Sequence, residues 1–239
     1  MDPRLSVVNR RLADVKRIIA VSGGKGGIGK SLTAAVSALH LAGQGYRVGL
    51  LDLDFCGPSA HVILGVKGGF PEEDRGILPP QINRLKFMSL VYFTGGNPAP
   101  LRGSDISNAI IEILAITRWE TLDYLIIDMP PGLGDPALDV IRLVKRVEFL
   151  LVTTASRVAA EVLKKELQML QQLGMPVIGV LENMRLGDNS LKEEILKLQA
   201  PFLGAIDFDR ELEGALGDAS ALMQTGFAGM LARVVQRIT

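Results

Sequence analysis

Short, nearly continuous apolar runs alternate along the chain with segments in which apolar residues recur at helical spacing. Seven runs have the length of a strand and consist mostly of Val, Ile and Leu: Arg17–Val21, Arg47–Asp52, Lys86–Phe93, Asp123–Asp128, Val147–Thr153, Val177–Leu181 and Phe202–Ile206. Strands that are covered on both faces have this pattern. The alternation is typical of βαβ units. It predicts an α/β fold with a mostly parallel central sheet of about seven strands flanked by helices.

The segments between these runs predict six helices: Lys30–Ala42, Ser104–Thr117, Pro136–Lys145, Ala159–Leu173, Ser190–Leu198 and Ala219–Ile238. The last helix is amphipathic with little basic charge, which favours docking on the core over docking on lipid. Clusters of Gly and Pro in residues 65–80 and 95–100 predict an irregular stretch around a short hairpin. Without repeats or a linker, we expect a single domain over residues 1–239, with residues 1–16 as an N-terminal extension.

Composition narrows the classes of function. Lys and Arg number 26, as do Asp and Glu, so the broad positive surface that binds nucleic acid or anionic lipid is not expected. The single cysteine excludes an intrachain disulfide, and any zinc or iron–sulfur site built from the thiolates of one chain. It fits a reducing compartment, and no signal peptide or membrane-spanning run is visible. We therefore predict a cytoplasmic protein.

The strongest functional motif follows the first predicted strand. Gly24, Gly29, Lys30 and Ser31 satisfy G-x-x-x-x-G-K-[ST] between a strand and a helix, the pattern of a phosphate-binding loop. Glycines let backbone N–H groups surround phosphate oxygens, and the following helix directs its N-terminus at the same anion. Lys30 is expected to neutralise the β- and γ-phosphates, and Ser31 to ligate Mg²⁺. We predict that ATP contacts Gly24, Lys25, Gly26, Gly27, Ile28, Gly29, Lys30, Ser31 and Leu32.

Carboxylates end two of the predicted strands, where parallel strands face a ligand crevice. Asp52 and Asp54 alternate with leucine and share one strand face. We predict that Asp54 orients the attacking water and that Asp52 holds Mg²⁺ through a bound water. Asp128 ends an apolar run in the manner of a Walker B carboxylate, and the Gly132 amide behind it is expected to sense the γ-phosphate. The predicted metal site therefore comprises Ser31, Asp52, Asp54 and Asp128.

Lys25 is not required by an ordinary phosphate-binding loop. The run Lys-Gly-Gly-Ile-Gly-Lys-Ser resembles the deviant Walker A motif of the MinD/ParA/nitrogenase-iron-protein class. The resemblance implies a P-loop NTPase of that type, in which Lys25 crosses a dimer interface to the nucleotide of the partner. There it would act like an arginine finger, by stabilising charge during transfer. The catalytic candidates are Lys25, Lys30, Asp54 and Asp128.

A closer resemblance covers nearly the whole chain from about Arg17. The segments IAVSGGKGGIGKS, LLDLDFCGPS, LRGS, LDYLIIDMPPGLGD, PVIGVLENM and PFLGAI occur in the order found in the Mrp family of P-loop ATPases. The resemblance implies an ATPase that dimerises around ATP and carries iron–sulfur clusters or helps to assemble them. Within it, Asn183 resembles an adenine-reading residue, and an amide offers the donor and acceptor that suit a purine edge. Asp209 is expected near the base.

The sequence departs from the family immediately after Asn183. Cluster-carrying members have a C-x-x-C pair there, whereas residues 185–190 contain no cysteine and the segment is short. A dimer of this chain offers only two thiols, both from Cys56, and a conventional cluster needs four thiolates. We interpret Cys56 as a small packed thiol in a switch-like loop. No iron–sulfur cluster is expected on the isolated chain.

Three functions stay open. The main hypothesis is a cluster-less Mrp-type ATPase in metallocofactor assembly, working with a cluster-bearing Mrp-like partner or a client metalloprotein. The alternative is a MinD/ParA-like switch whose ATP-bound homodimer binds a surface, a protein or DNA and positions cargo. The missing C-x-x-C pair favours this alternative. The GPS and MPPGLGD segments favour the main hypothesis, and the thin positive charge weakens the membrane and DNA versions of the alternative. A third function is a nucleotide-gated adaptor that scarcely hydrolyses ATP.

Overall fold

The structure is a computed structural model that describes residues 4–55, 57–66, 70–95, 103–132 and 134–239. Its strands are β1 Val15–Ser22, β2 Val48–Asp52, β3 Glu72–Glu73, β4 Ile77–Leu78, β5 Gln81–Ile82, β6 Leu85–Ser89, β7 Leu122–Asp128, β8 Val147–Thr153, β9 Val177–Arg185 and β10 Phe202–Asp207. Its helices are α1 Arg4–Arg11, α2 Lys30–Gly43, α3 Ala60–Ile63, α4 Val91–Thr94, α5 Ser104–Ile116, α6 Asp135–Leu143, α7 Arg157–Gln172, α8 Lys192–Lys197, α9 Leu212–Ala215, α10 Ala219–Leu222 and α11 Gly226–Val235. Within the described ranges, no helix combines the length and the apolarity that crossing a bilayer requires.

Eight strands form the central sheet, in the order β10–β9–β8–β1–β7–β2–β6–β5. All of them pair in parallel except β5, which is antiparallel to β6. The first strand, β1, lies in the middle of the sheet, with Val21 opposite Asp128 of β7 and Ser22 opposite Leu151 of β8. The predicted α/β fold with a mostly parallel sheet is confirmed.

Apolar side chains fill both faces of this sheet. One face packs against α1, α5, α6, α7 and α8, and the other against α2 and the C-terminal helices. Strands that are buried on both sides need apolar residues at every position. All five residues of β2 are buried, which explains why polar residues do not alternate with the apolar ones before Asp52.

Two predicted elements are divided in the structure, and one strand of the central sheet was not predicted. Lys86–Phe93 is not one strand: β6 ends at Ser89, whose hydroxyl accepts a hydrogen bond from the Val91 N–H at 3.3 Å, and the chain turns into α4. The C-terminal segment forms two helices, because Thr225 caps α11 by accepting from the Ala228 N–H. The sheet gains β5 through a tight turn in which Asn83 and Arg84 have φ of 48° and 70°, as type I′ hairpins require.

The predicted N-terminal extension and the irregular Gly/Pro-rich stretch both contain regular secondary structure. Helix α1 lies within residues 1–16, packs on α5 and buries Val8 in the core. Leu12, which follows the helix, is buried in the core as well. Strands β3 and β4 form an antiparallel hairpin inside the irregular stretch, as predicted. Cys56 and residues 96–100 of the second Gly/Pro cluster lie outside the described residues.

Candidate functional site

The phosphate-binding loop lies between β1 and α2, at the carboxyl edge of the sheet. Strand β1 ends at Ser22, and α2 begins at Lys30. Gly27 and Gly29 have φ of 76° and 82°, left-handed values that glycine adopts without a Cβ penalty. A Cβ on Gly29 would also lie 2.2 Å from Asn183 Nδ2. Both the backbone conformation and the close neighbour therefore require glycine at position 29.

The N-terminus of α2 is available to an anion. Gly29 precedes the helix without a side-chain cap, and the first turn contains no acidic residue. The unsatisfied N–H groups of a first turn carry the positive end of the helix dipole. This geometry binds phosphate groups in many nucleotide-binding proteins.

Lys30 and Asp128 form a buried ion pair behind the loop. Lys30 Nζ lies 2.9 Å from Asp128 Oδ1, and the two side chains are 6% and 0% exposed. Burial raises the pKa of Asp128, while the charge of Lys30 and a hydrogen bond with Ser31 lower it. Asp128 Oδ2 is buried without a hydrogen-bond partner. The pair therefore keeps one acceptor oxygen unsatisfied beside the loop.

Asp52 and Asp54 lie at different depths. Asp52 is buried, its Oδ1 accepts the Asp54 N–H at 3.0 Å, and its Oδ2 lies 3.4 Å from the Ser89 hydroxyl. Burial first, and then repulsion by Asp128, raise the pKa of Asp52 to about 7. Asp54 is half-buried and accepts the Gly57 N–H at 3.1 Å. Asp54 thus faces the surface, and Asp52 lies behind it.

A cleft of about 350 Å³ opens in front of the loop. It joins the loop to the segment after β2 and to the end of β9, and it is lined by Lys25, Gly26, Gly27, Gly29, Lys30, Ser31, Leu32, Asp54, Gly57, Ser59, Ile63, Pro131 and Met184. Most of the predicted phosphate-contacting residues therefore share one cavity with Asp54. Ile28 is buried behind the loop.

The donor set at this cleft fits Mg²⁺. Ser31 and the half-buried Asp54 line the cleft, and the unpartnered Asp128 Oδ2 is buried behind the loop. All three offer oxygen atoms, the ligands that Mg²⁺ prefers. In the part of the chain that the structure describes, no group of three or more His, Cys, Asp or Glu side chains is placed to hold a metal ion. Magnesium bound mainly through phosphates and waters needs only one or two protein ligands, so the residues present are sufficient.

Asn183 contacts the loop rather than lining the cleft. It is 1% exposed, and its Nδ2 donates to the Ile28 carbonyl at 2.9 Å. It lies near the end of β9 and is followed by Met184, which does line the cleft. The observed hydrogen bond holds the loop in place, and the reading of adenine stays a prediction.

Two other predicted residues are engaged with backbone groups. The Gly132 N–H donates to the Gly23 carbonyl at 3.2 Å, so the segment after β7 is tied to the loop. Asp209 accepts the Glu211 N–H at 3.0 Å and the Phe227 N–H at 2.9 Å, and it therefore caps the start of α11. The roles predicted for Gly132 and Asp209 at the nucleotide stay predictions.

Sequence reasoning missed two buried carboxylates. Glu166 of α7 and Glu182 of β9 are both 0% exposed. Glu166 interrupts the stripe of buried leucines in α7, and this polar residue at a core position was the available signal. Glu182 accepts from the Ser190 hydroxyl at 2.9 Å and from the Leu191 N–H at 2.8 Å, and so fixes the segment that follows Asn183.

The fold and this loop together define a P-loop NTPase. A family model described as ParA, NUBPL iron-transfer P-loop NTPase, matches residues 14–239, nearly the whole chain. The chain belongs to this family.

Curated relatives point to the same group. An iron–sulfur cluster carrier protein of Pseudomonas fragi is 42% identical over 177 residues, which are 72% of this chain and 62% of that protein. The iron–sulfur cluster carrier protein of Escherichia coli K12 is 41% identical over 173 residues, 71% of this chain and 47% of that protein. The chain thus spans about half to three-fifths of the length of these relatives.

Solved structures agree on the fold. The nucleotide-binding protein of Archaeoglobus fulgidus, in complex with ADP, is 32% identical with a TM-score of 0.78, and the match covers 92% of this chain and 93% of that one. The cell division ATPase MinD of Pyrococcus furiosus has a TM-score of 0.69 at 19% identity, over 94% and 98% of the two chains. At that identity the likeness to MinD concerns the fold alone.

Proposed function

We propose that this chain binds and hydrolyses Mg·ATP in the cleft, and that its nucleotide state regulates a partner in iron–sulfur or other metallocofactor assembly. The observation that carries the proposal is the convergence on one cleft of an uncapped helix N-terminus, Lys30 and Ser31. Membership in the P-loop family supports it, as do the names of the relatives.

Each side chain has a defined task in this proposal. Lys30 turns from Asp128 toward the β- and γ-phosphates, whose charge replaces that of the carboxylate. Ser31 and Asp128 hold Mg²⁺, which neutralises phosphate charge when bound. Asp54 accepts a hydrogen bond from the attacking water, because it is the carboxylate that reaches the cleft.

We also propose a homodimer that closes over ATP. Lys25 lines the cleft, is exposed, and has no ion-pair partner within the described ranges. A cation at the open side of the cleft is suited to the nucleotide of a facing subunit. In an isologous pair, each Lys25 would stabilise the charge that develops in the partner's site.

The cluster itself belongs to a partner in this proposal. The 239-residue chain has one cysteine, and the segment after Asn183 is occupied by the Glu182–Ser190 contact instead of a thiolate pair. A cluster-bearing Mrp-like protein or a client metalloprotein would supply the remaining thiolates. This chain would contribute the ATP-driven change of conformation.

A second candidate is a MinD/ParA-like positioning switch. The cysteine-free segment after Asn183 favours it, since nothing there is specific to cluster transfer. Affinity capture with and without ATP separates the two candidates. A co-purifying iron-containing protein supports cofactor assembly, whereas an iron-free scaffold supports positioning.

Calorimetric titration of Mg·ATP tests the binding site. We expect Lys30→Ala to weaken binding at least about 100-fold, because the main counter-charge of the phosphates is lost. Lys164→Ala, on the exposed side of α7, is the matched control and should bind like the wild type. Unchanged affinity in a folded Lys30→Ala variant would show that ATP is not held at this loop.

A further inference from the structure

Helix α7 reaches the phosphate-binding loop through one buried carboxyl group. Glu166 is 0% exposed and lies on the buried face of α7 together with Leu163, Leu167 and Leu170. Its Oε1 accepts a hydrogen bond from the Ser22 hydroxyl at 2.5 Å, where β1 ends and the loop begins. The contact joins residues 144 positions apart, so it fixes the loop to a different part of the fold.

The same helix touches the loop again at Gly24. A Cβ on Gly24 would lie 2.0 Å from Val162 Cγ1 and 3.5 Å from Glu166 Oε2. The Gly24 N–H approaches the carboxylate closely enough to favour its charged form. Oε2 nevertheless has no partner at normal hydrogen-bond geometry. The carboxylate therefore offers Gly24 an acceptor that is not yet fully used.

A carboxyl group at this position is costly for the fold. Burial raises the pKa of Glu166 to about 7. The Ser22 hydroxyl, the Gly24 N–H and the positive charge of Lys30 each lower the pKa, but their combined effect is smaller than that of burial. A leucine would complete the apolar stripe without this cost. Buried ionisable groups with shifted pKa values are typical of functional sites.

We propose that Glu166 is a positioning residue for the nucleotide, which anchors the first half of the phosphate-binding loop at Ser22 and Gly24 before the phosphates arrive. The inference rests on the proposed binding of ATP at this loop. Glu166 does not line the cleft, so it acts through the backbone of the loop and not on the phosphates. The ionised carboxylate offers both of its oxygens as acceptors, Oε1 to the Ser22 hydroxyl and Oε2 to the Gly24 N–H, whereas a protonated carboxyl carries a hydrogen on one oxygen and is the weaker acceptor there.

Glu166→Gln tests this role because glutamine has the shape of the protonated acid. Mg·ATP is titrated into the wild type, Glu166→Gln and the control Glu161→Gln, an exposed residue of the same helix, at pH 6 and pH 8. The ratio of dissociation constants between variant and wild type cancels the titration of the nucleotide. We expect Glu166→Gln to bind about tenfold more weakly at pH 8 and within about twofold at pH 6, as the loss of one charge-assisted hydrogen bond implies.

The outcomes separate the hypotheses. A ratio that is equal at both pH values, or equal affinity at pH 8, would overturn the positioning role, and so would tighter binding by Glu166→Gln. If thermal unfolding shows that Glu166→Gln is not folded, Ser22→Ala decides: about threefold weaker binding at pH 8 supports the anchor, and unchanged binding rejects it. A wild-type chain that binds no Mg·ATP contradicts the proposed function instead.

Discussion

The carboxyl ends of β2 and β7 place several acidic side chains around a single buried cation. Asp52 and Asp128 are almost fully buried, and the half-buried Asp54 also acts on both of them electrostatically. Among the described residues, Lys30 is the cation that pairs with Asp128 directly. Full ionisation of the buried carboxyls is therefore unfavourable, and the pKa of Asp52 rises to about 7. A divalent cation nearby would favour the ionised form of Asp52 and release its proton.

The raised pKa of Asp52 predicts a pH-dependent stability. The folded state holds the Asp52 proton between about pH 4 and 7 whereas the unfolded chain loses it, so the stabilisation contributed by Asp52 is greatest below pH 4, falls as pH rises from 4 to 7 and is lost above 7. Asp52→Asn removes this pH-dependent loss of stability, and the asparagine oxygen still accepts the Asp54 N–H. We expect the variant to gain a few kcal/mol over the wild type at pH 8, at roughly 1.4 kcal/mol per pKa unit, and little at pH 4.

Urea unfolding at pH 4, 6 and 8 measures this difference. Asp14→Asn, a change at an exposed carboxylate, is the control and should follow the wild type. Parallel stability curves for Asp52→Asn and the wild type would mean that Asp52 ionises normally in the folded protein.

Local spacing allowed the central site residues to be predicted. Lys30, Ser31 and the loop glycines act within one strand–loop–helix unit, so their order in the sequence fixes their geometry. Glu166 and Ser22 are 144 positions apart, and their contact depends on how α7 packs across the sheet. The contact of Asn183 with Ile28 spans 155 positions and depends on strand order in the same way. Sequence reasoning therefore identified the loop but not its supports.

Two secondary-structure elements, β9 and α7, hold the phosphate-binding loop between them. Strand β9 presents Asn183 against Gly29 and Ile28, and α7 presents Val162 and Glu166 against Gly24. Both glycines leave no space for a side chain. Small shifts of β9 or α7 would therefore be transmitted to the backbone that surrounds the phosphates.

The contact of Asn183 with the loop leads to a prediction about base specificity. If Asn183 mainly supports the loop, Asn183→Ala should weaken the binding of Mg·ATP and Mg·GTP by a similar factor, about tenfold, because both share the phosphates. A residue that reads adenine would instead lose discrimination, since the hydrogen bonds it forms are specific to one base. Calorimetry with both nucleotides distinguishes the two, with Asn189→Ala in the exposed loop as the control. A selective loss of ATP binding would assign Asn183 to the base.

The predicted elements were most accurate where local patterns dominate. Buried strands such as β8 and the long helix α2 agree closely with their predicted ranges. Short elements were missed, including α1 and β5, because their stability comes from packing and pairing with distant segments. The break before α11 depends on the Thr225 cap, which a continuous apolar stripe conceals in the sequence.

On the scale of the whole molecule, the parallel sheet collects the ends of β1, β2, β7 and β9 at one edge. This arrangement brings residues from four separate segments to one cleft, although they are far apart in the sequence. The exposed Lys25 lies on the rim of the cleft. In the proposed dimer, each subunit would present this lysine to the site of the facing subunit.

The number of thiols that a dimer offers decides whether it can hold an iron–sulfur cluster. A symmetric dimer of the 239-residue chain has two thiols, and a conventional cluster needs four thiolates. Anaerobic reconstitution with iron and sulfide, followed by gel filtration, should leave no near-stoichiometric iron on the chain. A stable cluster on each dimer that is abolished by Cys56→Ala would assign this chain to the carriers.

Mixing two inactive variants tests whether each ATPase site is completed by the partner subunit. Lys25→Ala lacks the lysine supplied across the interface, and Asp54→Ala lacks the carboxylate within each site. Each variant alone should bind Mg·ATP but hydrolyse it very slowly. In an equal mixture, half of the dimers contain one site with both residues intact, so we expect about a quarter of the wild-type rate. A mixture that stays as inactive as its components, with both chains saturated by Mg·ATP, would contradict this expectation.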